Sequence, residues 1–212
     1  MKRGLLTIIA LAAATAVGTA AFPASAATII DEWANVKVPP APALKPVTAD
    51  SKTALLIIDL VKQTCNEKAR PRCVETIPAV EKLLKEARAK GVPVIYSFGT
   101  LGKDIVEPLA PKGGEPMVQA GADKFIKTDL EKILRDKGIT SVIVVGTLAN
   151  GGVLHTASQA ALRGFNVAVP VDGMSSPNAS TLYTEQYTAW HLANAPVFGG
   201  RVTLTTVDMI KF

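Results

Sequence analysis

The chain has 212 residues, 48% of them apolar and 19% charged, which is the composition of a folded domain and excludes a disordered or fibrous chain. Its formal charge of +5 contains no basic tract, so nucleic acid is not an expected partner.

The first residues do not read as part of a fold. Lys2 and Arg3 precede an uncharged apolar stretch from Leu5 to Val17, and Pro23 leads into the small residues Ala24-Ser25-Ala26. This is the pattern of a secretory signal peptide over residues 1–26, cut after Ala26 or Ala27. A retained membrane anchor is the rival reading, but the apolar core is shorter than the roughly 20 residues that a span needs. Loss of Lys2 and Arg3 takes the formal charge from +5 to +3. The expected location is therefore the periplasm or the exterior, with no stable membrane insertion after cleavage.

Residues 27–52 are proline-rich with little periodicity, and predict an extended N-terminal arm on which Ile29, Ile30 and Trp33 pack down. The remainder, 53–212, reads as one domain. Ala54 to Ile58 is a continuous apolar run that delivers Asp59 at its carboxyl end, either as a turn or cap residue or as a site residue facing a crevice. Cys65 and Cys73 lie in the polar stretch KQTCNEKARPRC. An oxidising compartment lets them pair; two independent thiols, or a catalytic Cys65, are the other readings.

Ile77, Val80, Leu83, Leu84 and Ala87 mark one face of a helix predicted to start near Pro78 and to stop at Gly91. Val92 to Tyr96 is a strand, Ser97 to Gly114 a loop with the character of a lid, and Glu115 to Gln119 a short strand. Thr128 and Glu131 have the spacing of a capping box for a helix carrying Leu130, Ile133 and Leu134 inward and closed by Gly138. Ser141 to Val145 is a buried strand. Gly146 stops it, and after Gly152 the residues Val153, Leu154, Ala157, Ala160 and Ala161 take up helical spacing as far as Arg163 and Gly164. Asn166 to Val171 is a strand ending in an Asp172-Gly173 turn. Ser176 before Pro177 predicts an N-cap and a helix running to Ala193. Val202 to Thr206 is the last strand.

Strands alternating with helices imply a mostly parallel sheet with helices on both faces and right-handed crossovers. In such a sheet ligands sit beyond the carboxyl ends of the strands, where turn N–H groups can bind negative charge. The strand, glycine turn and helix around Gly146 to Gly152 have the layout of a nucleophile elbow. No Ser or Cys occupies the turn, and Thr147 comes too early to serve.

Taken together, LLIID ending at Asp59, DKFIKTDLEKIL, GTLANGGVLHTA and VPVDGMSS resemble the isochorismatase-like hydrolases, over about residues 53–207. The resemblance implies an α/β three-layer sandwich with a six-stranded parallel sheet in the order 3-2-1-4-5-6. It also implies a site at the carboxyl ends of strands 1, 3 and 4. Cysteine members of the family use an Asp, a Lys and a Cys. The Asp matches Asp59, the Cys falls on Gly152, and the Lys falls on Gln119, with Lys124 the nearest alternative. The family's metal ligands after strand 2 are missing from SFGTLGKD, so neither a metal nor a cofactor is implied. Leu148 and Gly152 correspond to the oxyanion-binding N–H groups, and the Thr147–Leu148 peptide is cis in relatives.

Members that hydrolyse isochorismate resemble this chain in carrying Gly in place of Cys. Their reaction protonates a vinyl carbon and adds water to the oxocarbenium ion. Asp59 would be the acid, a role for which an ordinary Asp is protonated only about one part in a thousand at pH 7. Gln119 in place of Lys implies a less positive site that favours the neutral acid. The candidate catalytic residues are then Asp59, Gly152 and Lys124, and the candidate substrate contacts Leu148, Gln119, Asn150 and His155.

Each candidate also has a plain reading. His155 can be a surface histidine, Lys124 a solvated charge, and Asp172, Ser175 and Ser176 a turn and cap. Tyr183, Tyr187 and Trp190 have helical spacing, and point to a core stripe or to a contact in a homo-oligomer. Three functions remain: a nucleophile-free hydrolase acting on a small carboxylated metabolite, a non-catalytic small-molecule-binding protein on the same fold, or a cysteine-dependent amidase using Cys65.

Overall fold

The computed structural model describes residues 26–212, and the signal-peptide reading lies, apart from Ala26, outside them. Contacts divide the chain after Pro39. Before that point Thr28 to Val36 form a turn, with the Glu32 N–H donating to the Thr28 carbonyl at 3.1 Å and the Asn35 N–H to the Glu32 carbonyl at 2.8 Å. Ile29, Ile30 and Trp33 are all three exposed. Among the described residues no helix is long and apolar enough to cross a membrane.

In the second unit the central sheet contains β2 (Thr53–Ile58), β3 (Val94–Phe98), β4 (Met117–Gln119), β5 (Ser141–Thr147), β6 (Asn166–Pro170) and β8 (Val202–Thr205). They run in the spatial order β4-β3-β2-β5-β6-β8, every pair parallel. Counting these six along the chain, this is the 3-2-1-4-5-6 order that the resemblance implies. A seventh short strand, β7 (Met174–Ser175), was not expected and pairs with the end of β5. Val47–Thr48 (β1) pairs with Ile210–Lys211 (β9), so the last residues of the expected arm belong to the domain body.

The continuous apolar runs follow from burial on both faces. Ala54, Leu56 and Ile58 of β2 and Val142 and Val144 of β5 face one core. Three helices complete that core: α2 (Leu130–Asp136), α3 (Leu154–Leu162) and α4 (Leu182–Asn194). Leu55, Ile57, Ile143 and Val145 face the other, covered by α1 (Pro71–Ala89) and Leu109. The period of two sends alternate side chains to opposite layers.

Several boundaries differ from expectation. Helix α1 begins at Pro71, not near Pro78, which lies inside the helix. Both prolines fit a first-turn position in isolation, and the residues around Cys73 decide between them by joining the helix. The Ser97–Gly114 stretch is no open lid, because Leu109 is fully buried and Ile105 bridges Val61. Thr128 Oγ1 accepts from the Leu130 N–H at 3.2 Å, but the capping box is not closed, since Glu131 turns to Arg163 and Arg135. Ser176 does not cap α4. Its N–H and hydroxyl donate to Glu185 Oε1 at 2.7 and 2.9 Å, and Asn178 caps a short 3₁₀ turn ahead of the helix. Tyr183, Tyr187 and Trp190 are 66%, 50% and 40% exposed, so the stripe is not core.

Candidate active site

Asp59 follows the last residue of β2, at the carboxyl edge of the sheet, with φ at +54°. That conformation is uncommon for a residue other than glycine and turns the chain sharply out of the strand. Ser97 holds it from the neighbouring strand. The Asp59 N–H donates to the Ser97 carbonyl at 3.2 Å, and the Ser97 hydroxyl donates to Asp59 Oδ1 at 3.0 Å.

The other carboxylate oxygen faces Lys124. Its ammonium donates to Asp59 Oδ2 at 2.7 Å, to the Gly121 carbonyl at 2.6 Å and to the Ala120 carbonyl at 3.3 Å. All three ammonium protons thus have acceptors, as a fully buried Lys requires. The backbone of Lys124 is clamped as well. Its N–H donates to Thr156 Oγ1 at 3.4 Å, its carbonyl accepts from Thr128 Oγ1 at 2.6 Å, and Thr156 Oγ1 donates to the Ala122 carbonyl at 3.3 Å. Phe125 anchors the next position by stacking on Phe165 at 6.2 Å.

This corrects two expectations. Lys124 is not a solvated charge, and Gln119 does not leave the site without a cation. Gln119 is exposed at the end of β4, while the chain beyond it folds back and brings Lys124 to Asp59. The site therefore pairs a carboxylate with a buried ammonium, and has no side chain at Gly152.

Gly146 and Gly152 are imposed by close approach. A Cβ on Gly146 would stand 2.0 Å from the Ile58 carbonyl oxygen, and its φ is +131°. Beyond it the Thr147–Leu148 peptide is cis, as the resemblance implies, and Ala149–Val153 form a turn kinked at Gly151, whose φ and ψ of −115° and −106° are not helical, before α3 begins. A Cβ on Gly152 would stand 3.4 Å from Asp59 Oδ2 and 2.6 Å from Ile58 Cγ2. Asp59, Lys124 and Gly152 thus come together. Leu148 is half-buried in the adjoining turn, while Asn150 and His155 are exposed and hydrogen-bond to neither Asp59 nor Lys124.

Cys65 and Cys73 are joined in a disulfide, so Cys65 is not a free nucleophile. Asp172 is a turn residue whose carboxylate accepts from the Val207 N–H at 3.0 Å. Among the described residues no group of three or more His, Cys, Asp or Glu side chains converges, so the residues do not fit a metal centre. Sequence reasoning missed Ser97, Thr128 and Thr156 as the groups that hold Asp59 and Lys124. Ser97 ends the strand beside Asp59 and Thr156 lies one helical turn beyond Gly152, spacings that could have pointed to both.

Known proteins share this arrangement of elements. The isochorismatase domain family matches residues 53–201. The chain is 30% identical over 179 residues to the secreted isochorismatase effector Isc1 of Verticillium dahliae, covering 77% of this chain and 94% of that protein. It is 29% identical over 153 residues to N-carbamoylsarcosine amidase of Arthrobacter, covering 57% of this chain and 58% of that one. A solved isochorismatase-like hydrolase from Alkaliphilus metalliredigens superposes with a TM-score of 0.65 at 27% identity, over 74% of this chain and 95% of the other. Family match, fold and sheet order agree: the chain belongs to the isochorismatase family of hydrolases.

Proposed function

We propose that this hydrolase works without a thiol nucleophile, cleaving a small carboxylated enol ether such as isochorismate, with Asp59 as the group that gives and takes the proton. The observation that carries this reading is Gly152. The position beside Asp59 and Lys124 has no side chain, and its Cβ direction runs into Ile58. Chemistry at this site must then proceed by proton transfer and water, with no covalent intermediate.

Protonated Asp59 gives its proton to the vinyl carbon, leaving an oxocarbenium ion on the ether carbon. Lys124 and the Ser97 hydroxyl, already bonded to the two carboxylate oxygens, stabilise the carboxylate that forms. Water adds to the oxocarbenium carbon and returns a proton to Asp59. The hemiketal then collapses, breaking the carbon–oxygen bond to release pyruvate and the ring alcohol. The N–H groups of Leu148 and Gly152 are assigned to the substrate carboxylate or the water. Asn150, His155 and Gln119 are assigned to the outer part of the substrate.

Export is part of the same reading. It is supported by the leader pattern of residues 1–26, by the Cys65–Cys73 bridge and by the relative described as secreted.

The test is pyruvate release from isochorismate. Asp59→Asn keeps the shape but not the transferable proton, and should lower the rate at least about a hundredfold. Thiol reagents should have no effect. Unchanged turnover in Asp59→Asn, or a thiol-sensitive activity, would overturn the mechanism.

A further inference from the structure

We propose that the outer face of α4 is the surface on which two copies of this chain pair, helix against antiparallel helix about a two-fold axis. The inference is independent of the chemistry at Asp59.

The face is set apart by what it lacks. A helix packed on a core ordinarily turns charged side chains outward. Helix α1 does so with Glu75, Lys82 and Lys85, and α2 with Lys132, Arg135 and Asp136, all of them exposed. Over the 13 residues of α4, from Leu182 to Asn194, no exposed residue is charged. Glu185, the one carboxylate of the helix, turns inward to Ser176 and Arg72. His191 is partly buried between Tyr187 and Phe198, its ring centroid 5.7 Å from each. Phe198 belongs to the core, so Tyr187 is braced through His191. An exposed aromatic held in this way loses little side-chain freedom when it is covered.

Tyr183, Tyr187, Trp190 and Asn194 follow one another at the alternating intervals, four, three and four, of a seam between paired helices. At 66%, 50% and 40% exposure the three aromatics present roughly 300 Å² of surface. That is more than a third of the roughly 800 Å² which each partner buries in a stable complex, and it is of the residue types that dominate interface centres.

The occupant follows from the missing charge. Complementary charge is what selects an unlike partner and repels wrong ones, and this face offers none. In a two-fold contact the same patch meets itself, so a charge near the axis would oppose its like; an uncharged face is what self-pairing requires. An axis midway along α4, between Thr188 and Ala189, sets Tyr187 opposite Trp190 of the second copy and Tyr183 opposite its Asn194. The Asn194 amide nitrogen already donates to the Trp190 carbonyl at 2.8 Å, which leaves Oδ1 to accept from the facing tyrosine hydroxyl.

The experiment is sedimentation equilibrium of the exported, disulfide-bonded protein. The wild type should be a dimer with Kd of about 10 μM or tighter. Tyr187→Lys and Trp190→Glu should each weaken association at least about thirtyfold. Mixed in equal amounts, the two variants should dimerise with each other. The introduced ammonium of one then faces the introduced carboxylate of the other, and the remaining tyrosine faces the remaining tryptophan. Recovery on mixing also reports that both variants are folded. A second readout needs no change to the face. The chain has two tryptophans, so Trp33→Phe leaves Trp190 as the only emitter, and its fluorescence should shift to the blue over the concentration range of dimerisation. A wild type that is monomeric at about 100 μM overturns the proposal. So does a dimer that survives both substitutions or forms with no shift in Trp190 emission, and so do folded variants that stay apart on mixing. A monomer that binds phosphatidylcholine vesicles through Tyr187 and Trp190 makes a lipid surface the occupant and overturns it as well.

Discussion

Lys124 Nζ lies 2.7 Å from Asp59 Oδ2 across a sequence separation of 65 residues, with the lysine fully buried and the aspartate side chain 20% exposed. The pair joins the end of β2 to the segment between β4 and α2, and every proton of the ammonium is used. Such a pair constrains the site from both sides, because removing either member strands a buried partner.

Lys124→Met is therefore expected to cost about 3 kcal/mol of stability, by leaving the Asp59 carboxylate and two carbonyls without their donor. Asp59→Asn should cost a similar amount by leaving the ammonium without its counter-charge. Urea unfolding of the single and double variants tests this. The double variant should be more stable than the sum of the two losses implies.

Gly152→Ala should destabilise the protein by about 1–3 kcal/mol, because the added methyl meets a β-branched side chain in a packed core. The clash is with Ile58 Cγ2 at 2.6 Å. In an Ile58→Ala background, which removes that methyl, the further cost of Gly152→Ala should shrink. A thermodynamic cycle measured by thermal unfolding gives the coupling. Gly152→Cys should for the same reason install no efficient thiol chemistry until Ile58 is trimmed.

The Cys65–Cys73 bridge should contribute about 2 kcal/mol. The entropy of closing so short a ring gives roughly 2.5 kcal/mol before native-state strain is subtracted. Native, unreduced protein should show no titratable thiol. Cys65→Ser should lower the denaturation midpoint without removing catalysis, because neither sulfur belongs to the Asp59 cluster.

A pH effect on stability should arise at Glu115. Arg88 donates to both oxygens of Glu115, to the hydroxyl of Tyr96 and, at 2.9 Å, to the Ala110 carbonyl, tying the 99–114 loop to α1 and β3. Burial pushes Glu115 up, but the hydrogen bonds from Arg88 and the Lys112 N–H outweigh it and hold the carboxyl below its ordinary 4.5. A depressed folded value means stability fully present above the ordinary value and lost as pH falls through the lower one. Unfolding free energy should thus decline on acidification below pH 4.5. Glu115→Gln should be less stable near neutrality and should show a flatter decline.

Much of the architecture was legible in the chain. Runs such as Ala54–Ile58 and Ser141–Val145 are apolar at every position because both faces of a parallel strand are covered, a local pattern with few alternatives. Asp59 was visible as the polar residue at the end of such a run. Cys65 and Cys73 were visible as a pair because the leader pattern implied an oxidising destination. Gly152 was visible through the family motif, and so was the cis bond before Leu148. These features depend on neighbours in sequence or on a motif of fixed spacing.

What depended on distant partners was not legible. Pro71 and Pro78 are equally good first-turn residues, and only the packing of the residues around Cys73 and Thr76 decides that α1 begins at the earlier one. Glu131 has the spacing of a capping box, yet Arg163, 32 residues away, offers its carboxylate a charged donor that the backbone N–H cannot match. Ser176 likewise goes to Glu185 and, through it, to Arg72. The same limit hid the cation of the site. By spacing along the chain Gln119 stood where a lysine belongs. The direction of Lys124 is decided by hydroxyls from Thr128 and Thr156 and by the seat of Phe125 against Phe165, contacts that exist only once the sheet, α2 and α3 have come together.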